Sequence, residues 1–455
     1  MSSARAWVVL PDQLSTRLFV DTGIVSGLHQ KLRDRLVLVP VGDGVGRPLG
    51  GDGVPLLDEE ALVPPEVPAF ERVRRSVDRR LDRGLGYYPL AIRLNLRHGF
   101  HRERMSAGHD NWMLDSSRVG PLPRWGWLER LMTSWQFGRT RYVPHALRSA
   151  MRRDCGRLVL SNVQPQVVVP FLVAARRLGV PIVAHVASWD HTVGKGAIAP
   201  FCDVYVVQND TMREDLVRYH AIPSERIVVT GWPQTDVYAR RRLREDFDAL
   251  LRSYQLDPGL PLVVVMGNTP TNAPFEDRFV ERVVRWWESQ GRGRMSLLFR
   301  PHPRDREWRE RFATALATPG VHVQEASFTD LEVLATVLQH AACVVANAGT
   351  ILLEAIVNDR PAVCVLYDEG ASHGESWALK NVVGEHYREL ATSDAFYRAD
   401  RFEDVVTGIE RSLADPGELA EERSRIVAEV VGALDGRAAE RVVDAIVTTA
   451  SPGDA

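Results

Sequence analysis

Pro261-Leu262-Val263-Val264-Val265-Met266-Gly267-Asn268-Thr269 is the stretch from which the fold can be read. An apolar, β-branched run that ends in a small polar loop and leads into the helical pattern of 275–288 reads as a buried strand, a turn and a helix. The same pattern returns at 297–300, 321–324, 343–346 and 362–366. Strands alternating with helices call for a parallel sheet covered by helices on both faces. Toward the N-terminus, β-rich runs at 7–10, 36–41, 167–170, 182–186, 204–207 and 227–230 predict a first sheet of the same kind.

Between the two sets lies a charged helical stretch, 236–259, which closes on Leu256-Asp257-Pro258-Gly259. That is strong turn chemistry and places a domain boundary there. The expectation is an N-terminal Rossmann-like domain, 1–240, and a C-terminal one, 241–455. After Phe402 the pattern becomes helical and ends in a small polar tail.

At 455 residues, two cores are the natural prior. With 45% hydrophobic and 25% charged residues, the composition excludes a disordered or fibrous chain. The net charge of −3 conceals an asymmetry, because 71–157 carries 19 arginines against 8 acidic residues. Within it, 84–148 interleaves arginine with Trp112, Trp125, Trp127, Trp135, Phe137 and Tyr142. One reading is an Arg/Trp-rich insertion whose aromatics pack on the N-terminal domain. The other is a surface that docks peripherally on anionic lipid. No DNA- or RNA-binding module accompanies the charge, which argues against a nucleic-acid partner.

Cys155, Cys202, Cys343 and Cys364 show no paired spacing and read as reduced core residues. The short apolar run after Met1 is no signal peptide, and no run approaches the roughly 20 apolar residues of a membrane span. The expected location is cytoplasmic, peripheral at the inner membrane face under the lipid-docking reading.

Three strand ends carry candidate chemistry. After the first strand of the second set, Asn268 and Thr269 sit in a loop able to offer N–H groups to an anion, though an ordinary turn looks the same. Next comes Arg300-Pro301-His302-Pro303, where two prolines fix the backbone. A guanidinium and an imidazole then leave one strand end together, a pair suited to gripping a diphosphate. The third is Asn347-Ala348-Gly349-Thr350, which enters the helix bearing Glu354. Small residues admit a phosphate to the helix N-terminus, Thr350 adds a hydroxyl, and Glu354 lies one turn on, placed for ribose hydroxyls. Alternatively, Asn347 is an N-cap and Glu354 a solvated charge.

In the first half, Ser188-Trp189-Asp190-His191-Thr192-Val193-Gly194-Lys195-Gly196 follows a strand. Asp190 or His191 could act as general base on an acceptor hydroxyl, and Lys195 could meet leaving-group charge. Equally, Asp190 could only anchor its loop. Asp12, at the end of the first strand, is a weaker catalytic candidate.

The order of these elements, continued by Asp359-Arg360-Pro361 and a further strand, resembles the donor domain of GT-B transferases. The nearest likeness is to the group of CDP-glycerol glycerophosphotransferases, bacterial surface-polysaccharide glycosyltransferases and non-hydrolysing UDP-N-acetylglucosamine 2-epimerases. The Ser-Trp-Asp…Lys-Gly segment is similar to one in the same transferases, and the likeness spans 167–367. It implies a GT-B fold, two Rossmann-like domains whose parallel sheets face a cleft. It also implies that Arg300, His302, Gly349, Thr350 and Glu354 hold the donor's diphosphate and ribose. Ala348 departs from the serine often found there.

No Asp-x-Asp element stands at a strand end, and no zinc spacing, Walker A sequence or GxSxG elbow occurs. A metal-independent glycosyltransferase without a resident cofactor is therefore expected, moving a sugar from a nucleotide-activated donor to a glycan, lipid-linked or other hydroxyl acceptor. The alternatives are a CDP-glycerol-type glycerophosphotransferase, a nucleotide-sugar 2-epimerase and a nucleotide-sugar-binding module.

Overall fold

The computed structural model describes residues 4–42, 142–164, 166–194, 198–270, 272–325, 331–347, 349–371, 387–391 and 393–449, with short pieces at 54–57, 62, 68–74, 137–138, 378 and 382. The chain divides into two compact units, the second being Val237–Val431.

In the first unit, strands β1 (Arg5–Leu10), β2 (Leu36–Pro40), β3 (Cys155–Leu160), β4 (Ile182–His185), β5 (Val204–Val207) and β6 (Ile227–Val229) form a six-stranded sheet. Its order is β2-β1-β3-β4-β5-β6, and every pairing is parallel. The strand expected at 167–170 is not there. That stretch is a single 3-10 turn followed by the helix Val169–Leu178, with Pro170 in its first turn. Proline fits a helix start, and an all-apolar run buried on every side has no periodicity to separate helix from strand. The strand in this place is β3, whose buried Arg157 interrupts the apolar signal.

The second unit holds β7 (Leu262–Met266), β8 (Ser296–Arg300), β9 (Val321–Val323), β10 (Cys343–Asn347), β11 (Ala362–Val365) and β12 (Tyr397–Ala399). Their order is β12-β11-β10-β7-β8-β9, again parallel throughout. In order of appearance this is the 3-2-1-4-5-6 arrangement of a dinucleotide-binding sheet, with its switch point between β7 and β10. The central strands are apolar on both faces, as sheets covered on two sides require.

The last helix, Ala438–Thr448, expected with the C-terminal domain, packs on the first unit instead. Val442, Val443 and Ile446 join the core around β1. The helix lies so close to Ile24–Leu32 that a β-carbon at Gly27 would stand 3.0 Å from Val443. Both oxygens of Asp236 cap it, accepting from the N–H groups of Ala438 (3.1 Å) and Ala439 (2.7 Å). An apolar stripe announces that a helix face is buried; it does not say against which sheet.

Phe137 is buried edge-on to Phe201, and Tyr142 meets Phe70 in the same way. These two aromatics pack on the first unit. Most of the basic segment 84–148 lies outside the described residues. All four cysteines are buried free thiols, and burial pushes Cys202 and Cys343 up to about 12, so they are inert core residues.

Candidate functional site

The site in the second unit begins with strand register. Met266 pairs with Arg300 on one side and Ala346 on the other, so the ends of β8, β7 and β10 lie in one row. The loops that leave them start side by side at the switch point, where open parallel sheets bind ligands.

Arg300, 6% exposed, is held by its Nε donating to Gln324 Oε1 at 3.1 Å. Gln324 follows β9 and is itself tied to β8 by its N–H on the Phe299 carbonyl. His302 accepts the Arg304 N–H at Nδ1 over 3.0 Å. A neutral ring used in this way carries its proton on Nε2, which makes His302 a donor in a fixed orientation.

Gly349 stands at the N-cap of the helix Thr350–Val357, where a glycine brings no side chain of its own to the first-turn N–H groups. Asn347 is not that cap. Its amide donates to the carbonyls of Val365 (2.7 Å) and Ala378 (3.1 Å) and ties β10 to its neighbours. The Tyr387 hydroxyl lies 3.4 Å from the Gly349 nitrogen. Glu354, only 5% exposed, accepts a hydrogen bond from the Tyr238 hydroxyl and is thus no solvated helix charge.

Beneath the β7 loop sits a cluster that the sequence hid. Arg311, on the short helix Trp308–Arg311, donates to Glu276 (2.9 Å) and to the carbonyls of Ala273 (2.6 Å) and Asn268 (3.1 Å), and it pairs with Asp305. Glu276 in turn accepts the Asn268 N–H at 2.7 Å. The Asn268 side chain receives the Thr269 N–H at 2.8 Å, so both loop candidates are committed to shaping the turn. Burial pushes the Glu276 carboxyl up to about 8, against the opposing pull of Arg311. Gly267 has no room for a side chain, since a β-carbon would lie 2.9 Å from Phe312 and 3.1 Å from Pro301. In a stretch as arginine-rich as 304–311, nothing marks Arg311 as the buried one. A small open cleft lies beside this loop, lined by Gly267, Glu276, Phe279, Asn347, Tyr367 and Asp368.

In the first unit, Asp12 caps the helix Gln13–Asp21, accepting from the Ser15 N–H at 2.7 Å, and it also receives Asn162 at 3.3 Å. Its carboxylate is thereby committed to local structure. The segment carrying Asp190 and His191 is pinned from three sides. Gln164 donates to the His191 carbonyl (2.6 Å), Thr192 to Asp215 (2.7 Å), and the His220 ring meets the Thr192 carbonyl (2.7 Å). On this rigid base the His191 ring and the Asp190 carboxylate stand 3.8 Å apart, with side chains 10% and 25% exposed. Lys195 and Ala348 lie outside the described residues. His185 ends β4 fully buried, its Nδ1 on the Ser161 carbonyl at 2.9 Å, and burial lowers its pKa to about 4, so it stays neutral.

Among the described residues, no group of three or more His, Cys, Asp or Glu side chains is placed to hold a metal ion. None of the described helices is long and apolar enough to cross a membrane.

Two parallel α/β units, one with a dinucleotide-type strand order, define a fold of the GT-B type. Solved structures share it along nearly the whole chain. UDP-GlcNAc 2-epimerase from Neisseria meningitidis bound to UDP-GlcNAc superposes with a TM-score of 0.51 at 9% identity, over 98% of this chain and 100% of that one. A glycosyltransferase from Rickettsia africae gives 0.51 at 9% identity, over 99% and 100%. A single-residue variant of the wall teichoic acid polymerase TagF gives 0.54 at 8% identity, over 98% and 89%. These neighbours are drawn from the group that the motif order resembles. No protein-family model matches the chain, and no curated protein sequence does.

Proposed function

We infer that the protein is a glycosyltransferase that takes a sugar from a nucleoside diphosphate donor, held by the second unit, and passes it to a hydroxyl acceptor. The observation that carries this is the common row of Met266, Arg300 and Ala346. It aligns the loops bearing Arg300, His302 and the Gly349–Thr350 helix start at the switch point. Arg300 supplies a fork to a diphosphate oxygen pair, His302 a donor, and the helix start backbone N–H groups and positive partial charge. Together they stabilise the leaving diphosphate as the bond to the sugar breaks. Asn347 shapes the β10 end, and Thr350 adds a hydroxyl to the seat. Glu354 takes the ribose.

Asp190, the more exposed of its pair, serves as the general base on the acceptor hydroxyl, with His191 beside it. Lys195 follows on the same segment and meets leaving-group charge. Asp190→Asn is expected to lower kcat by about 100-fold or more with little change in donor affinity. His191→Ala is expected to do less. Equal turnover in the Asp190→Asn enzyme would remove the carboxylate from the chemistry.

The reading is tested first by thermal shift with UDP, GDP, dTDP, CDP, CMP and ADP, with and without EDTA. One nucleoside diphosphate should stabilise the protein, by about 2.7 kcal/mol at a hundredfold excess over its Kd, and EDTA should leave the shift intact. A shift lost in EDTA would show a metal-dependent donor site. A response confined to cytidine nucleotides, CMP included, would favour glycerophosphate transfer, and no response would refute a nucleotide-using transferase.

A further inference from the structure

The Tyr238–Glu354 hydrogen bond joins residues 116 apart in sequence, both buried, at 7% and 5% exposure. Tyr238 ends the short helix Thr235–Tyr238 and lies at the start of the Val237–Val431 stretch of the second unit. Its backbone is fastened there, because its carbonyl accepts from Gln339 Nε2 at 2.8 Å. The same amide donates to the Arg240 carbonyl (2.9 Å) and accepts the Arg242 N–H (2.8 Å). Arg242 reaches back to the Val237 carbonyl at 3.2 Å and pairs with Glu332. The 237–242 segment is thus clamped along the helix Leu331–His340. The phenol arrives at the carboxylate on a fixed backbone and does not swing in from solvent.

A phenol has one proton to donate, whereas an ionised carboxylate offers about four acceptor directions on two oxygens. Engaging one direction fixes the rotation of the carboxylate plane. Its orientation decides whether two adjacent hydroxyls can be gripped at once. A restraint already in place before the ligand arrives lowers the entropic cost of binding.

We propose that Tyr238 is a positioning residue for the donor site, holding the Glu354 carboxylate in the orientation that recognises the paired hydroxyls of a ribose. This rests on the reading of Glu354 as the ribose-binding group. Tyr238 itself touches the carboxylate and not the ligand, so its loss weakens hydroxyl recognition and leaves diphosphate recognition by Arg300 and His302 in place.

The test is calorimetric titration of the full chain with ADP, CDP, GDP and UDP and with their 2′,3′-dideoxy counterparts, on the wild type, Tyr238→Phe and Glu354→Gln. Melting temperatures are recorded alongside to show that each variant is folded. The wild type should prefer the ribonucleotide of the base it accepts. Tyr238→Phe should reduce that preference by about tenfold, the worth of one hydrogen bond to a charged group. The reduction should fall on the ribonucleotide, with dideoxynucleotide affinity unchanged. Equal weakening of both sugars would show a merely structural tie and overturn the proposal, as would an unaltered preference. Should Glu354→Gln retain the wild-type preference, the ribose reading of Glu354 falls first, and absence of binding by any of the eight nucleotides would refute the donor site as a whole.

Discussion

Replacing Arg300 by alanine is expected to weaken nucleoside diphosphate binding by about 30- to 700-fold, or roughly 2–4 kcal/mol. The size follows from the site. Arg300 is 6% exposed at the end of β8, so its contacts with a diphosphate are made largely out of water. Its Nε is engaged by Gln324 at 3.1 Å, which fixes the plane of the fork. Arg300→Lys should recover only part of the affinity, because an ammonium has charge without the fork. Stability is the control. Loss of the Gln324 bond costs the fold on the order of 1 kcal/mol, far less than the binding loss. Calorimetry with the nucleotide found in the thermal-shift panel gives one number and urea unfolding the other. Unchanged donor affinity in Arg300→Ala would show that the row of strand ends is not a diphosphate seat.

Arg311→Met is expected to destabilise the second unit by about 3–5 kcal/mol, the largest effect on folding anticipated here. Its guanidinium, 9% exposed, stands between Glu276, 10% exposed, and Asp305, 0% exposed. Removing it leaves the acid groups of Glu276 and Asp305 buried without their cation and releases the carbonyls of Ala273 and Asn268. The pH dependence has a definite sign. Glu276 is raised by burial to about 8 in the folded protein, so its ionised form is disfavoured by folding. The stability it allows is full below the unfolded carboxyl pKa and declines as pH rises toward 8. Without Arg311 its pKa moves higher still, so the gap between variant and wild type should be level from about pH 5.5 to 7 and widen as pH passes 8. Urea unfolding followed by tryptophan fluorescence checks this, since Trp286, Trp287 and Trp308 lie in the core of the same unit. A gap independent of pH would mean that Glu276 is not the group left unpaired. Because the cluster supports the Asn268–Thr269 turn, nucleotide binding should weaken as well.

The sequence was most legible where one kind of signal stood alone. The second sheet announced itself through short apolar β-branched runs, and β7, β8, β9, β10 and β11 fall where those runs lie. β12 escaped because Tyr397–Ala399 is only three residues long and carries an arginine in its middle. In the first sheet, Val167-Val168-Val169-Pro170 looked like a strand and opens a helix, while β3 was hidden by Arg157. That arginine donates to the carbonyl of Thr449, 292 residues away, a partner no local pattern reveals.

What the amino-acid order determined by itself was local. It set which runs become strands, that their alternation with helices makes two parallel layers, and that Arg300, His302, Gly349 and Glu354 stand at strand ends or helix starts. Those properties depend on side-chain period, proline and glycine geometry and spacing within about ten residues. Tertiary structure alone decided partners. It placed the C-terminal helix on the first unit under the carboxylate of Asp236, brought Asn162 to Asp12, made Asn347 a strap, buried Arg311 between two acids, and set Tyr238 against Glu354. For Arg311, Tyr238 and Glu354, burial of a polar group is tolerable only because a complementary group arrives from elsewhere along the chain. Burial by a distant partner leaves no periodic trace in a sequence, and the charged groups that look most solvated are therefore the ones whose roles only the fold can assign.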